Sequence, residues 1–477
     1  MTKTMVQSET PAPGDPSIHC RNLFAAMTTV VLICWIFVTY ISRQPGHWAV
    51  LQFLLAAAIM MVATAAVVWR YHHLRQSIPV IWIVATAILL RFISVFGEPL
   101  FEDDYYRYLW DGYQTITTLD PYSLAPAIFF DDESVPEVFE PVLSLINYPE
   151  IATVYGPVTQ WIFSIGYLVQ AAEVWPLQML AGLADLLVLI LLYKLGARNA
   201  LLFYAWSPLL LKEFSLTAHP DIYAILAVVI SIFAAARNYV WLAGLSLALG
   251  VGAKVFAVLA LPFLLSQRWS LRYWSTLVGW FLITIVLLTL PFGTIKIWAP
   301  EGLQAMADSW LFNSAVYLMF LQVLSFQSIK LVLLAAFCSC VIAVCLKRVW
   351  SARQSIRSQP GQYDTVDTAI GWQASSGAFR GDWLFMLFLL ALPVVNSWYV
   401  AWILPFATLY PRWWSWAFSY CCLVSYWTGA NTGAVGAGSL VLPTWIIALE
   451  YTTVAAIAVL AWVFFRHKLH YRPFAGL

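Results

Sequence analysis

The chain has 477 residues, of which 62% are hydrophobic and only 10% are charged, and its mean hydropathy is +0.77. So few charged residues could not cover the surface of a soluble domain, and the composition therefore excludes that class. The net charge of +1 argues against nucleic acid as a partner. The seven cysteines lie in or beside apolar segments without the spacing of metal ligands or secreted disulfides, so neither zinc nor disulfides are expected.

Apolar runs of about 17 to 25 residues recur along the chain, each long enough to cross a hydrocarbon core of about 30 Å. They predict an all-α polytopic membrane protein, a bundle of about 12 to 13 transmembrane helices. Residues 1–22 form a polar cytoplasmic tail, and the long apolar run from Leu23 to Ile41 is predicted to be an uncleaved first span. Two further spans at 48–69 and 78–96 complete a first transmembrane unit, 23–96.

Charge sets the predicted orientation. The connection at 70–75 contains two Arg and two His, and short basic loops face the cytoplasm. The third span then exits at Gly97 into an external loop whose only basic residue up to about 155 is Arg107. The twelve acidic residues of this loop are Glu98, Glu102, Asp103, Asp104, Asp111, Asp120, Asp131, Asp132, Glu133, Glu137, Glu140 and Glu150.

The segment 155–172 is apolar enough to be a span, but that interpretation would place Lys194 and Arg198 outside. A short surface or re-entrant helix keeps both cations in the cytoplasm, and such backbone at membrane depth lines cavities. The unit 97–172 is therefore predicted to be an external catalytic loop that carries amphipathic surface helices.

The rest of the chain is predicted to be a transmembrane bundle at 173–346, a cytoplasmic linker at 347–382 and C-terminal transmembrane helices at 383–477. A second external loop is expected from 293 to about 315. No internal repeat is visible, which argues against a transporter built from repeated halves. The predicted spans are 175–194, 199–213, 221–236, a broken pair at 240–252 and 254–266, 272–291, one or two helices in 316–346, 383–395, 399–409, 413–430 and 443–465.

The stretch FEDDYYRYLWDG, 101–112, opens the external loop. If a helix begins near Glu102, its turn of about 100° per residue separates a polar from an aromatic face. This pattern predicts a helix lying flat at the membrane surface, with its rings toward the headgroups and its carboxylates toward a substrate cavity. Simple helix capping by the first carboxylates is the alternative, and it leaves Arg107 and Asp111 unexplained. The polar face contains Asp104, Arg107, Tyr108 and Asp111, and the aromatic face contains Tyr106, Trp110 and Tyr113.

Ionisable residues at membrane depth are costly and therefore candidates for function. Asp185 lies inside an apolar span, where it is either a clamp between helices or a catalytic group. Lys212, Glu213, His219 and Asp221 lie together at an external junction; His219 could donate to a phosphate, and Asp221 could instead cap a helix. Lys254 follows a glycine-rich break, where it either clamps an anion or extends to the membrane interface.

The segment 393–406 places aromatic and polar residues at an external turn: Asn396, Trp398, Tyr399 and Trp402. Such rings serve either as membrane anchors or as a surface on which a pyranose stacks. The sequence does not separate these two roles.

Several motifs in order, over about 78–410, give the chain a resemblance to a known family. They are DDYYRYLWDG followed by LDPY, TVYGPVTQ, the Asp185 span ending LLYKL, SPLLLKEFSLTAHPD, GAKVFAVLALP and NSWYVAWILP. The chain resembles membrane glycosyltransferases of the C-type (GT-C) fold that use polyprenyl-phosphate sugars. It is most similar to bacterial polyprenol-phosphate-mannose-dependent mannosyltransferases and to the catalytic subunit of the first GPI mannosyltransferase.

The resemblance implies a GT-C-like bundle in a bacterial inner membrane, with an active site that faces the periplasm and a catalytic base at Asp103 or Asp104. Two departures bear on acceptor specificity. LDPY stands where the family usually has a Gly-x-Asn-Pro-Tyr turn, and Gly156 replaces a proline that more often precedes Pro157.

The expected reaction is inverting transfer of a hexose, most simply mannose, from a polyprenyl-phosphate donor to a lipid-linked or glycan acceptor. Membrane lipids are the other expected partners. Asp104 is the expected base with Asp103 as its competitor; the adjacent carboxylates leave room for a divalent cation, although no metal-ligand spacing is evident. The donor would be bound by Arg107, His219, Lys254, Trp398 and Tyr399, with Asp111, Tyr155, Asp185 and Asp221 in support.

Two rival functions use similar residues. A transporter or flippase of a lipid-linked or anionic saccharide precursor would need charges distributed through the bundle and access from both sides. A ligase or polymerase of O-antigen type would rely on external Arg residues and a large late loop. The unusual charges of this chain gather on the predicted external side, and its largest loop comes early, which favours transfer chemistry.

Overall fold

The computed structural model describes residues 16–46, 48–268, 270–298, 310–358, 380–428 and 442–465. These residues are almost entirely helices and the turns that join them, and the only β-type pairing among them is an isolated bridge between Phe312 and Val394. The prediction of an all-α polytopic membrane protein is confirmed.

Thirteen helices are labelled here in chain order. They are α1 (Pro16–Arg43), α2 (Ala49–His73), α3 (Val80–Ser94), α4 (Asp104–Thr118), α5 (Pro157–Val169), α6 (Trp175–Lys194), α7 (Asp221–Ala236), α8 (Val240–Ala253), α9 (Leu271–Thr289), α10 (Phe326–Ser358), α11 (Gly381–Ala391), α12 (Trp413–Cys421) and α13 (Thr444–Phe465).

Short helical turns connect these helices. They are Pro126–Phe129, Glu137–Phe139, Glu140–Ser144, Leu201–Ala205, Pro208–Leu210, Leu211–Leu216, Val255–Ala260, Leu261–Leu265, Leu290–Phe292, Ile295–Trp298, Ala315–Phe320, Ser397–Val400, Ala401–Ile403, Leu404–Leu409 and Cys422–Thr428.

Six helices of the described ranges are long and apolar enough to cross a membrane, and a seventh crossing arises if the bent pair Leu201–Leu216 and Asp221–Ala236 is one span. That pair bends by 115° at residues 217–220. Five shorter apolar helices add to the bundle, so the expected count of 12 to 13 crossings stays a prediction. The expected boundary between bundle and linker at 346 falls inside α10, which continues to Ser358.

The predicted re-entrant segment forms α5, a helix of 13 residues with Pro157 at its start. It is too short to rank among the candidate spans, and it packs against α4 and α8. Gly156 permits this contact, because a Cβ there would overlap the carbonyl oxygen of Gly252 at the end of α8. A proline at 156 would meet the same obstacle.

For Trp110, the prediction that the aromatic face of α4 turns toward lipid headgroups is wrong. Trp110 is fully buried, and its ring packs against Tyr113, Phe129 and Phe139 of the same loop. Burying such large rings stabilises the fold more than leaving them at an interface does. The residues after α4 supply the rings against which they pack. The LDPY turn does form, with Leu119 in the left-handed conformation at φ 55°.

Asp185 is a clamp between helices. Its Oδ2 accepts hydrogen bonds from Nε and Nη2 of Arg91 at 3.0 and 2.6 Å, and its Oδ1 accepts one from the hydroxyl of Tyr204 at 2.6 Å. Arg91 also donates to the carbonyl of Ala205 at 2.7 Å. All these side chains are buried. The pair of Arg91 and Asp185 therefore joins α3, α6 and the helical turn Leu201–Ala205.

Substitution of Asp185 by Asn should strongly destabilise the protein, because it leaves the buried guanidinium of Arg91 without a counter-charge. The expected cost is about 3–5 kcal/mol. The Asp185→Asn, Arg91→Met double variant should recover much of that loss, because neither charge remains. Thermal unfolding in detergent measures both; equal stability of the single variant and the wild type would contradict the clamp.

Candidate active site

A cavity of about 520 Å³ lies where the first loop, the bend before α7, the end of α8 and the turn at 396–399 meet. Its volume is within the range of sites that bind small molecules. Of the residues singled out in the sequence, those that line it are Glu102, Asp103, Asp104, Arg107, Tyr155, Gly156, His219, Lys254, Asn396, Trp398 and Tyr399. Asp111, Asp185 and Asp221 are buried outside the lining.

Asp221 binds the two residues that form the cationic part of the cavity, His219 and Lys254. Its Oδ2 lies 3.0 Å from Nδ1 of His219 and 2.5 Å from Nζ of Lys254, and its Oδ1 accepts a hydrogen bond from Nε1 of Trp402 at 2.7 Å. Pro220, not Asp221, is the N-cap of α7. The helix-cap alternative for Asp221 is therefore wrong: its side chain holds two candidate phosphate ligands in place.

Lys254 and His219 are both held against aromatic rings. Nζ of Lys254 lies 4.4 Å from the ring centre of Tyr399, and the side chain is 21% exposed. The ring of His219 stacks on Trp398 with centroids 4.3 Å apart. Lys254 is thus bound within the cavity, and the alternative that it extends to the membrane interface is wrong.

Asp104 is a carboxylate of the cavity lining that lies close to this cationic part. Its Oδ2 lies 4.0 Å from Nε2 of His219, and the 38% of its side chain that is exposed opens into the cavity. Burial, together with the neighbouring carboxylates of Glu102 and Asp103, raises the pKa of Asp104 to about 7. A carboxylate of that pKa can take up a proton near neutral pH.

Asp103 has a different environment. Its Oδ1 accepts a hydrogen bond from Nδ2 of Asn147 at 2.5 Å, although burial still raises its pKa above the usual range. Asp103 is therefore tied to the loop after residue 146, whereas Asp104 accepts no such bond from the residues that the structure describes.

The guanidinium of Arg107 interacts with other groups of the protein. Its Nη2 donates to the carbonyl oxygens of Tyr148 and Ile151 at 3.1 and 2.9 Å, and its Nη1 lies 4.0 Å from Oδ1 of Asp111. The guanidinium is consequently a weaker candidate for phosphate binding than Lys254.

Asp111 and Tyr155 support the wall of the cavity. Asp111 accepts hydrogen bonds from Thr153 and from Nε2 of Gln160, the latter at 2.9 Å, so it fastens α4 to the loop and to α5. Tyr155 packs edge-on against Tyr108, which in turn lies edge-on to His219. The ring of Tyr108 thus separates the loop core from the cationic part.

A buried polar cluster at the cavity floor was not predicted as part of the site. Lys212 donates to Glu102, to Glu213 at 3.2 Å and to the hydroxyl of Tyr426 at 2.7 Å. Burial would raise the pKa of Glu102, but the ammonium of Lys212 and the hydrogen bonds of this cluster hold it below its usual range. The sequence signal was the Lys–Glu pair inside an apolar run; nothing local pointed to Tyr426.

Among the residues that the structure describes, no three His, Cys, Asp or Glu side chains lie together so that they could hold a metal ion. The adjacent carboxylates Asp103 and Asp104 therefore lack a third ligand of these types within the described ranges.

Residues 24–269 match the family model described as alpha-(1->6)-mannopyranosyltransferase, N-terminal domain. The match covers just over half of the chain and includes Asp104, His219, Asp221 and Lys254. It confirms the resemblance to membrane mannosyltransferases that the motifs indicated. No curated protein and no solved structure matches the chain.

The raised pKa of Asp104 predicts how its replacement changes stability with pH. Between about pH 4 and pH 7 the folded protein retains a proton on Asp104 that the unfolded chain has lost, so this group favours unfolding as the pH rises. The melting temperature of Asp104→Asn minus that of the wild type should therefore increase from pH 5 to pH 8. Thermal unfolding at both pH values tests this, with the exposed carboxylate variant Asp131→Asn as the control; a difference that stays constant would contradict the assignment.

Proposed function

This chain belongs to the alpha-(1->6)-mannopyranosyltransferase family, and from that membership we propose that it transfers mannose from a polyprenyl-phosphate donor to a lipid-linked or glycan acceptor. The observation that carries the proposal is the position of Asp104 in one cavity with Lys254 and His219. A base and a phosphate-binding group within one small cavity are what glycosyl transfer from a sugar phosphate needs.

The donor phosphate binds at Lys254 and His219. Lys254 shares only part of its hydrogen-bonding capacity with Asp221 and reaches the cavity, so its ammonium remains able to donate to an anion. The neighbouring rings of Trp398 and Tyr399 border the mannosyl group. A polyprenyl chain would keep this donor in the bilayer, which suits a protein with six candidate membrane spans among its described residues.

Asp104 acts as the general base. A base works best when its pKa is close to the working pH, and the pKa of about 7 meets that condition. Asp103 is the less suitable of the two carboxylates because it is bound to Asn147.

The reaction is a direct displacement. Asp104 takes the proton of the acceptor hydroxyl, the hydroxyl oxygen forms a bond to the anomeric carbon, and the bond from that carbon to the phosphate oxygen breaks. The leaving polyprenyl phosphate gains one negative charge, which Lys254 stabilises. One displacement inverts the anomeric centre.

The active site is proposed to face the periplasmic side of the inner membrane. The first loop supplies Asp103, Asp104, Arg107 and Tyr155 to the cavity, and that loop is strongly acidic up to about residue 155. Short cytoplasmic loops carry an excess of Lys and Arg, whereas Arg107 is the only basic residue in this part of the loop.

Replacement of Asp104 by Asn should lower kcat by about 10² to 10⁴-fold, because general-base catalysis contributes that much. Asp103→Asn should lower it by about tenfold or less, since it removes one hydrogen bond. Transfer of radiolabelled mannose from polyprenyl-phosphate mannose in membranes measures both. Full activity of the Asp103→Asn, Asp104→Asn double variant would contradict the proposal.

The kcat/KM of the wild type should fall as the pH is lowered below about 7, because Asp104 is then protonated and cannot act as a base.

Replacement of Lys254 by Met should lower kcat by about 10² to 10³-fold, because one preorganised charge on the leaving group is lost. Lys254→Arg serves as the matched control, since it retains a cation at the same position and should keep more activity than Met. The same radiolabel assay at saturating donor separates kcat from KM. Equal activity of the Met and Arg variants would show that charge at 254 does not act on the leaving group.

A further inference from the structure

Two aromatic rings in the cavity lining have no part in the proposed donor site. Tyr148 belongs to the first loop, and Trp310 comes directly before the short bridge at Phe312. Their ring centroids are 4.9 Å apart at an angle of 47°, and both side chains are half-buried. They form an apolar surface that faces the cavity; it is called the Tyr148–Trp310 platform here.

The backbone around Tyr148 is held by Asp103 and Arg107, which lie near Asp104 at the start of α4. Asn147 donates to Asp103, and Arg107 donates to the carbonyls of Tyr148 and Ile151. Tyr148 has φ of 52°, a conformation that is uncommon for a tyrosine and persists only where its surroundings enforce it. The position of this ring relative to Asp104 is therefore fixed by side chains from the start of α4.

Trp310 is fixed from the other side of the cavity lining. The amide of Phe312 donates to the carbonyl of Pro393 at 3.0 Å, and the amide of Val395 donates to the carbonyl of Phe312 at 2.9 Å. These bonds tie Phe312, two residues after Trp310, to the segment that leads into Trp398. The platform thus consists of two rings on anchored backbone, as a preorganised binding surface requires.

We propose that the Tyr148–Trp310 platform binds the acceptor saccharide, on which a pyranose ring stacks so that one hydroxyl faces Asp104. The proposal rests on the proposed function. A flat ring suits the apolar face of a sugar, and the platform is bound to the residues around the base. The donor phosphate requires the cations instead, and these lie beside the other aromatic pair, Trp398 and Tyr399.

Asp103 and Arg107 are accordingly positioning residues. Nη2 of Arg107 donates hydrogen bonds to two carbonyl oxygens of the loop that carries Tyr148. If it acts through that loop, its loss should affect binding of the acceptor. If it binds the donor phosphate directly, its loss should affect binding of the donor.

The experiment uses the full chain in lipid nanodiscs, polyprenyl-phosphate mannose as donor and an octyl glycoside of 1,6-linked dimannose as acceptor probe. Tyr148→Ala and Trp310→Ala should each raise the KM for the acceptor by about tenfold, since each removes a ring on which the pyranose stacks. The KM for the donor should be unchanged. Tyr148→Phe and Trp310→Phe keep a ring and should retain the acceptor KM, and the exposed Trp48→Ala is the control for a lost tryptophan.

Arg107→Met should raise the KM for the acceptor and leave the KM for the donor unchanged. The opposite pattern would assign Arg107 to the phosphate and overturn its positioning role.

Binding of the same dimannoside without donor, followed by saturation-transfer NMR, separates the platform from the proposed function. If the wild type transfers mannose but the alanine variants keep the acceptor KM, the platform is overturned and the proposed function stands. If the wild type transfers no mannose but binds the dimannoside in a way that depends on Tyr148 and Trp310, the platform stands and the proposed function is overturned. If the wild type neither transfers mannose nor binds the dimannoside, both are overturned.

Discussion

The cavity depends on one buried carboxylate, that of Asp221. Its oxygens bind His219 from the bend before α7, Lys254 from the end of α8 and Trp402 from the C-terminal part of the chain. A carboxylate without water is costly unless it is paired and hydrogen-bonded, so these partners stay together. Both cation candidates stand where a helix is interrupted, and irregular backbone at membrane depth is tolerated where it lines a cavity. The same interruptions therefore line the cavity and place His219 and Lys254 in it.

The carboxylates around α4 have separate roles because their partners differ. Lys212 keeps Glu102 ionised at the cavity floor, and burial together with that negative charge raises the pKa of Asp104 two residues later. Asp103 lies between them and binds the loop through Asn147. Three consecutive acidic residues thus become a fixed charge, a structural acceptor and a group that exchanges a proton near neutral pH. This division gives the proposed base its working pKa.

Much of the architecture could be predicted from the sequence, because it follows from local residue type. The length of apolar runs identified most of the long helices, and helical periodicity placed Asp104, Arg107 and Asp111 on one face. The order of the motifs indicated the family. The position of His219 and Lys254 in one cavity with Asp104 was also expected, since all three were assigned to the same side of the membrane by the charges of the loops.

The sequence by itself determined the class of protein, the acidic loop and the list of costly charges, because composition, run length and period depend only on neighbouring residues. It left open whether Asp185 was catalytic and whether Asp221 was a helix cap, and it placed Trp110 toward lipid. Only the tertiary structure decided these points, since the partner of Asp185 is 94 residues away and that of Asp221 is 33 residues away. A buried charge takes its role from the group that neutralises it, and packing brings that group into contact from a distant part of the chain.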